Sequence, residues 1–274
     1  MHALPLAIAM VFAVLMAPAL LRALIAGEHV RVNYRSRELP FPFGILSVAA
    51  ALVALIPLAL LQELAQVDVL HPELRGISLY VLGIAALGLI DDTLSGSPRG
   101  WRGHGGALLR GELSTGVLKA AGSLGLALFV LGGLGLSHGR YLLAVAVLVL
   151  TTNMFNLLDL RPGRASKAFV LLGVGLTLGA ADVRPLWSLG LFAAPALVAG
   201  VYDLRERAML GDTGANLLGA LAGWWMILVL STTGQAIALA ALLAITAYGE
   251  FRSISAFVEK TPGLRALDSW GRPS

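Results

Sequence analysis

Long apolar runs separated by short polar bursts fill the chain. Nine of them are candidate helices: residues 4–21, 43–61, 77–90, 117–136, 141–158, 168–181, 187–201, 213–230 and 235–249. This is the pattern of membrane spans, in which a helix satisfies every backbone polar group within its own segment. Several runs are shorter than the roughly 20 residues a full span prefers, so their polar ends are expected to continue as helix into a cleft or the interface. The expected fold is all-α, a polytopic integral membrane protein of about nine transmembrane helices over residues 1–249. A cytoplasmic tail follows over 250–274. There Ile254, Phe257 and Val258 recur at helical spacing ahead of Pro262, Leu264 and Leu267, as in a short amphipathic helix lying on the membrane surface.

Composition agrees. The 274 residues are 57% hydrophobic and 13% charged, with a mean hydropathy of +0.82, more apolar surface than a soluble domain of this length could hide. The first run has no basic residue before it and Arg22 directly after it. That is the wrong polarity for a cleaved signal peptide, so a retained span is expected. The absence of cysteine excludes disulfides, thiolate metal sites and cysteine nucleophiles. A pI near 9.8 would suggest nucleic acid in a soluble protein. In a membrane protein it points to basic loops beside anionic lipid, so the expected partner is the lipid bilayer of the cell membrane and not nucleic acid.

Charge also orients the chain. With the N-terminus outside, 17 of the 20 Lys and Arg fall inside and only Arg75, Arg140 and Arg184 outside, as the positive-inside rule requires. The same parity puts Asp91, Asp92, Asp159 and Asp212 on the cytoplasmic face, and Asp68 and Asp182 on the other. Among the 32 glycines, the pairs Gly175/Gly179 and Gly219/Gly223 have the small-residue spacing that lets helices approach closely.

Four polar motifs stand out against this background. Gly88-Leu-Ile-Asp91-Asp92 closes the third run, and Leu113-Ser-Thr-Gly-Val-Leu-Lys119 opens the fourth. Adjacent carboxylates at a span end resist burial and call for a compensating cation. Lys119 could neutralise them or contact a phosphate. Asn153, Asn156 and Asp159 recur every three residues and share one helical face, a stripe that suits a polar cavity. Its alternative is interhelical hydrogen bonding by the asparagines. Met209-Leu-Gly211-Asp212-Thr213-Gly214-Ala-Asn216 opens the eighth run. Free N–H groups at a helix start favour phosphate and Asp212 could hold a metal against it, although a simple N-cap explains the string equally well in isolation. The loop Asn33-Tyr-Arg35-Ser-Arg37-Glu-Leu-Pro40-Phe-Pro42 offers Arg35 and Arg37 to phosphate or lipid headgroups, beyond their role in orientation.

Together and in this order the motifs resemble the polyprenyl-phosphate N-acetylhexosamine-1-phosphate transferase family. It includes the phospho-N-acetylmuramoyl-pentapeptide transferase of peptidoglycan synthesis and the N-acetylglucosamine-1-phosphate transferases. The resemblance runs from about Asn33 to Gly219. It implies a site in which polyprenyl phosphate attacks the β-phosphorus of a UDP-sugar, with Mg²⁺ as cofactor, releasing UMP. By the resemblance Asp212 ligates Mg²⁺, Asp91 activates the lipid phosphate, Asp92 supports metal or base, and Lys119 contacts phosphate. Asn153, Asn156 and Asp159 face the nucleotide, while Gly211 and Thr213 stand near phosphate. A homodimer is compatible with this reading.

The chain also departs from the family pattern. Where the family reads Asp-Gly-x-Asp-Gly, this chain reads Asp159-Leu-Arg161-Pro162-Gly163-Arg164, with Pro162 in place of the second acid. Ala215 replaces a usual serine, all five histidines precede Asp159, and the family's last span has no counterpart before Ser274. Two other classes are therefore kept: a catalytically silent relative that binds polyprenyl phosphate or partners an envelope-synthesis complex, and a cation- or proton-coupled transporter. The transporter is disfavoured because the acids gather at span ends and not at mid-span.

Overall fold

The computed structural model describes residues 2–94 and 114–273, and its architecture is helical. Among the described residues nine long helices occupy the nine apolar runs: α1 Leu4–Ala26, α2 Ile45–Leu64, α3 Leu74–Thr93, α4 Thr115–Gly132, α5 His138–Leu158, α6 Arg164–Ala180, α7 Arg184–Leu204, α8 Gly211–Val229 and α9 Thr232–Phe251. Most reach beyond the apolar run into its polar flanks, because an uninterrupted helix keeps the backbone bonded where water is scarce. Seven of them, all but α6 and α8, are long and apolar enough to cross a membrane. α6 has 17 residues, and α8 opens on the polar segment Gly211–Asn216.

α8 is the hub. Every residue from Thr213 to Met226 is buried, and α3, α5, α6 and α7 pack around it. Gly219 and Gly223 face α5 at close range: a Cβ on Gly219 would lie 2.7 Å from the Thr152 Cα, and one on Gly223 2.8 Å from Leu148. The expected small-residue contact is there. At Gly175 and Gly179 it is not, since nothing lies within 4 Å of either. Gly173 is the α6 glycine that meets a neighbour, Trp225. α1 packs on α2 and α7 through Ala9, Ala13 and Ala17, all fully buried at the i, i+4 repeat of one helix face. Val11, Val14 and Leu15 of the same helix are more than half exposed, as suits a lipid-facing surface.

Two short strands, β1 Val30–Val32 and β2 Glu38–Pro40, pair antiparallel between α1 and α2. Asn33 Oδ1 closes their turn by accepting from the Arg35 and Arg37 backbone N–H groups at 2.8 and 3.0 Å. The chain after β2 then docks on the segment before α8: Met209 N donates to the Pro40 carbonyl, Phe43 N to Met209 and Gly44 N to Leu210.

The tail departs from the single amphipathic helix expected from its spacing. It breaks at Thr261 into α10 Ile254–Lys260 and α11 Pro262–Ser269 and folds back against the start of α6. Arg164 donates to both Asp268 oxygens at 2.8 and 3.0 Å and to Ser255 Oγ at 2.9 Å. Arg272 donates to Asp268 and to the Pro162 carbonyl, both at 2.8 Å. Lys167 donates to the Leu267, Asp268 and Trp270 carbonyls.

Candidate functional site

The polar ends of the helices meet at one end of the bundle. Cross-helix contacts join the end of α3 to the starts of α4 and α8, and the α5–α6 loop to the end of α7. At the centre, Lys119 Nζ lies 2.9 Å from Asp91 Oδ2 and 2.5 Å from Asp212 Oδ2. All three side chains are partly exposed. An ammonium so placed offsets the repulsion of two carboxylates brought together from α3 and α8. The Asn156 side-chain amide stands against Asp212; with its nitrogen on that side it lies 3.1 Å from each carboxylate oxygen and can donate to both.

Asp92 is placed differently from Asp91, because successive helical residues point about 100° apart. Its Oδ1 accepts from the Asp212 backbone N–H at 2.9 Å. Its Oδ2 accepts from the Thr213 N–H at 2.9 Å and the Thr213 hydroxyl at 2.6 Å. Both oxygens are spent on the first turn of α8, which has no capping side chain from its own chain segment. In position, therefore, Asp91 partners Asp212 and Asp92 clamps the helix that carries Asp212. Gly211 makes the approach possible: its φ is +75°, and a Cβ there would stand 2.8 Å from Asp92 Oδ2 and 2.9 Å from Phe41.

The remaining candidates are scattered around this centre. Asp159 follows the last turn of α5, partly buried. Burial, and then the nearby carboxylates of Asp203, Asp212 and Asp92, push its carboxyl well above the usual carboxylate range against the pull of Arg164. Asn153 is exposed, and no hydrogen bond among the described residues ties it to the acidic group. Arg35 and Arg37 are not drawn to Lys119. They face Glu206 at 3.4 and 3.8 Å, and Arg35 also donates to the Pro273 carbonyl at 3.1 Å. Arg99, Arg102 and Arg110, counted with the basic loops, lie outside the described residues, as does Leu113.

Three residues of this face carried no sequence signal of their own. Arg31 donates to the Asp92 carbonyl at 3.1 Å and stacks 4.0 Å above the Phe41 ring. Asp203 accepts from Gly163 N at 2.6 Å and Leu210 N at 3.2 Å, tying together the loops that precede α6 and α8. Asp268 holds Arg164 and Arg272. Each was one charge among many near a basic segment.

Among the described residues no three acidic or histidine side chains surround a single point. Two partly exposed carboxylates are nevertheless the usual protein share of a Mg²⁺ site, the other positions going to water and substrate phosphates, although here Lys119 Nζ stands against one oxygen of each. Asp91 and Asp212 fit that mode, and Asp92, fully hydrogen-bonded, does not. The chain matches no protein-family model and no curated protein.

Proposed function

We propose that the protein transfers a phospho-N-acetylhexosamine from a UDP-sugar to polyprenyl phosphate and releases UMP. The supporting observation is the convergence of Asp91, Lys119 and Asp212 from three helices at one end of an apolar bundle. A site at helix ends is open both to a lipid phosphate held in the bilayer and to a water-soluble nucleotide. On the same reading all nine long helices belong to the membrane domain, the N-terminus is outside, and the acidic face is cytoplasmic by the distribution of Lys and Arg.

In the transfer, an oxygen of the lipid phosphate bonds to the β-phosphorus of the donor. The bond from that phosphorus to the α–β bridging oxygen breaks, and its electron pair leaves with UMP. Two anions must meet, so positive charge at the reacting phosphoryl group is the main requirement. Lys119 is the chain's own cation at this point, shared with Asp91 and Asp212. Asp91, on the lipid-facing helix α3, orients the acceptor phosphate and takes its proton where one is present. Asp212, at the start of α8, is the acid that would hold a metal ion against the phosphate, since the Asp212 and Thr213 N–H groups are already taken by Asp92. Mg²⁺ held by Asp91 and Asp212 would neutralise charge on the phosphoryl oxygens.

The test is purified protein with polyprenyl phosphate, Mg²⁺ and a panel of labelled nucleotide sugars, scored by UMP release. Turnover that falls at least about a hundredfold in Asp91→Asn and Asp212→Asn is expected for groups acting at the reacting phosphate. A folded protein that releases no UMP from any donor sinks the enzyme reading. It would favour a silent relative that binds polyprenyl phosphate, for which the loop at Pro162, occupied by the tail through Arg272, is the specific support.

A further inference from the structure

Two basic loops beside the acidic centre are held together by a segment that belongs to neither. The β1–β2 hairpin brings Arg35 and Arg37, and the α5–α6 loop brings Arg161. Residues 271–273, beyond α11, reach both. Arg272 donates through Nε to the Pro162 carbonyl and through Nη2 to Asp268, both at 2.8 Å, and its side chain is 10% exposed. One residue further on, the Pro273 carbonyl accepts from Arg35 at 3.1 Å. Gly271 makes the turn that brings Arg272 in. Its φ is +78°, and a Cβ there would stand 3.2 Å from Leu204, so glycine suits both the backbone and the space.

Each loop held this way is also tied to the segment that leads into Asp212. Gly163, next to Pro162, donates to one oxygen of Asp203, and the other oxygen takes the N–H of Leu210, two residues before Asp212. On the hairpin side, Tyr34 and Arg35 both meet the buried carboxylate of Glu206 in the α7–α8 loop. Residues 271–273 therefore close a ring of three loops on one flank of the centre. The bilayer lies on another flank, where Ile90, next to Asp91, is 36% exposed along α3. A phosphate carried by a lipid comes from that side. The ring of loops, with its arginines, is left to a water-soluble anion.

We propose, resting on the transferase reading above, that Arg272 is a positioning residue for the nucleotide-sugar donor. Without touching the reacting atoms, it sets the α5–α6 loop and the hairpin at the spacing that admits the donor diphosphate. A guanidinium with one arm on a carbonyl and another on a carboxylate fixes direction as well as charge, which an ammonium does not. The tail on this reading assembles the donor side and does not plug it.

Steady-state UMP release by the full chain, with donor and polyprenyl phosphate varied in turn, tests this. Arg272→Gln should raise the donor KM roughly tenfold, as for one lost charged hydrogen bond. Its kcat and its KM for polyprenyl phosphate should stay within about twofold of wild type. Arg272→Lys keeps the charge but not the fork and should behave like Arg272→Gln. Gly271→Ala, which strains the turn, should raise the same constant. An unchanged donor KM in Arg272→Gln overturns the proposal, as does an Arg272→Lys equal to wild type. A higher kcat or lower donor KM in Arg272→Gln overturns it in favour of a plug. Wild type that releases no UMP fails the transferase reading instead, and the clasp is then decided by hydrogen exchange. Residues 30–40 and 159–166 should both exchange faster in Arg272→Gln, and unchanged exchange in either segment overturns the clasp.

Discussion

The different jobs of Asp91 and Asp92 give the sharpest test. Asp92 is 7% exposed and satisfies two backbone N–H groups and one hydroxyl at the start of the central helix. Asp92→Ala strands those donors where water has little access. At about 1–3 kcal/mol for each unmatched buried donor, and about 1 kcal/mol for a lost helix cap, the expected destabilisation is roughly 3–5 kcal/mol. Asp92→Asn keeps one accepting oxygen but turns an amide NH₂ toward the Thr213 donors, so about 2 kcal/mol is expected. Asp91→Asn removes half of a partly exposed ion pair and also relieves repulsion with Asp212, for a change within about 1 kcal/mol. Thermal unfolding in one detergent, followed by tryptophan fluorescence, should rank the proteins from least stable as Asp92→Ala, Asp92→Asn, then Asp91→Asn beside wild type. UMP release should be lost in all three. If Asp92→Ala melts with wild type, or if Asp91→Asn is the least stable, the clamp and the charge centre have been assigned to the wrong carboxylates.

Two further outcomes follow from the same geometry. In Gly88→Ala the new Cβ would sit 2.6 Å from the Asp212 carbonyl oxygen and 2.8 Å from the Thr213 Cα. No rotamer can relieve a backbone contact, so a loss of about 1–3 kcal/mol is expected. Gly125→Ala, with nothing within 4 Å, should instead gain up to about 1 kcal/mol; equal melting of the two would refute the packing argument. At the tail, burial opposes ionisation of Asp268, but Arg164 and Arg272 outweigh it and hold the carboxyl down at about 2. A lowered pKa stabilises docking above the ordinary value and loses that contribution as pH falls toward 2. Hydrogen exchange in residues 254–269, corrected for intrinsic rates, should stay slow down to about pH 4 and speed up below. Asp268→Asn should show the fast exchange already at neutral pH, and unchanged exchange would refute the clamp.

Helix positions were legible because apolar runs of near-span length have few other structures open to them. Asp91, Lys119 and Asp212 were legible as ends of three such runs, and the parity of the spans alone brings them to one face. What escaped the sequence depends on contacts with no local pattern. Three-residue strands such as β1 and β2 are too short to show an alternation. The division of labour between Asp91 and Asp92 follows from which side of α3 meets α8, and adjacency conceals that. Gly175/Gly179 and Gly219/Gly223 share a spacing but not a surroundings, since only the second pair lies on a helix buried on every side. The tail has amphipathic spacing, and Phe257, Leu264 and Leu267 are 48%, 39% and 40% exposed. Its docking rests on Asp268, which no periodicity distinguishes.

The loop after Asp159 draws its partners from elsewhere in the chain. Pro162 cannot supply a carboxylate, but its carbonyl accepts from Arg272, and Arg272 also holds Asp268. Besides Asp203 on Gly163 N, an acid delivered by the tail thus stands next to the loop, already matched by two guanidinium groups. Arg161 is engaged as well, with Glu259 at 2.9 Å and with the Tyr34 ring at 4.5 Å. Arg161, Arg164, Lys167 and Arg272 outnumber Glu259, Asp268 and the Asp203 that holds Gly163 N by one, so this flank is slightly net positive beside an acidic centre. A carboxylate in the loop would select a ligand by accepting its hydrogen bonds. A surplus of cations attracts an anion by charge, with less regard to which one it is. On the proposed reading, that moves donor recognition away from the sugar and the base and toward the diphosphate.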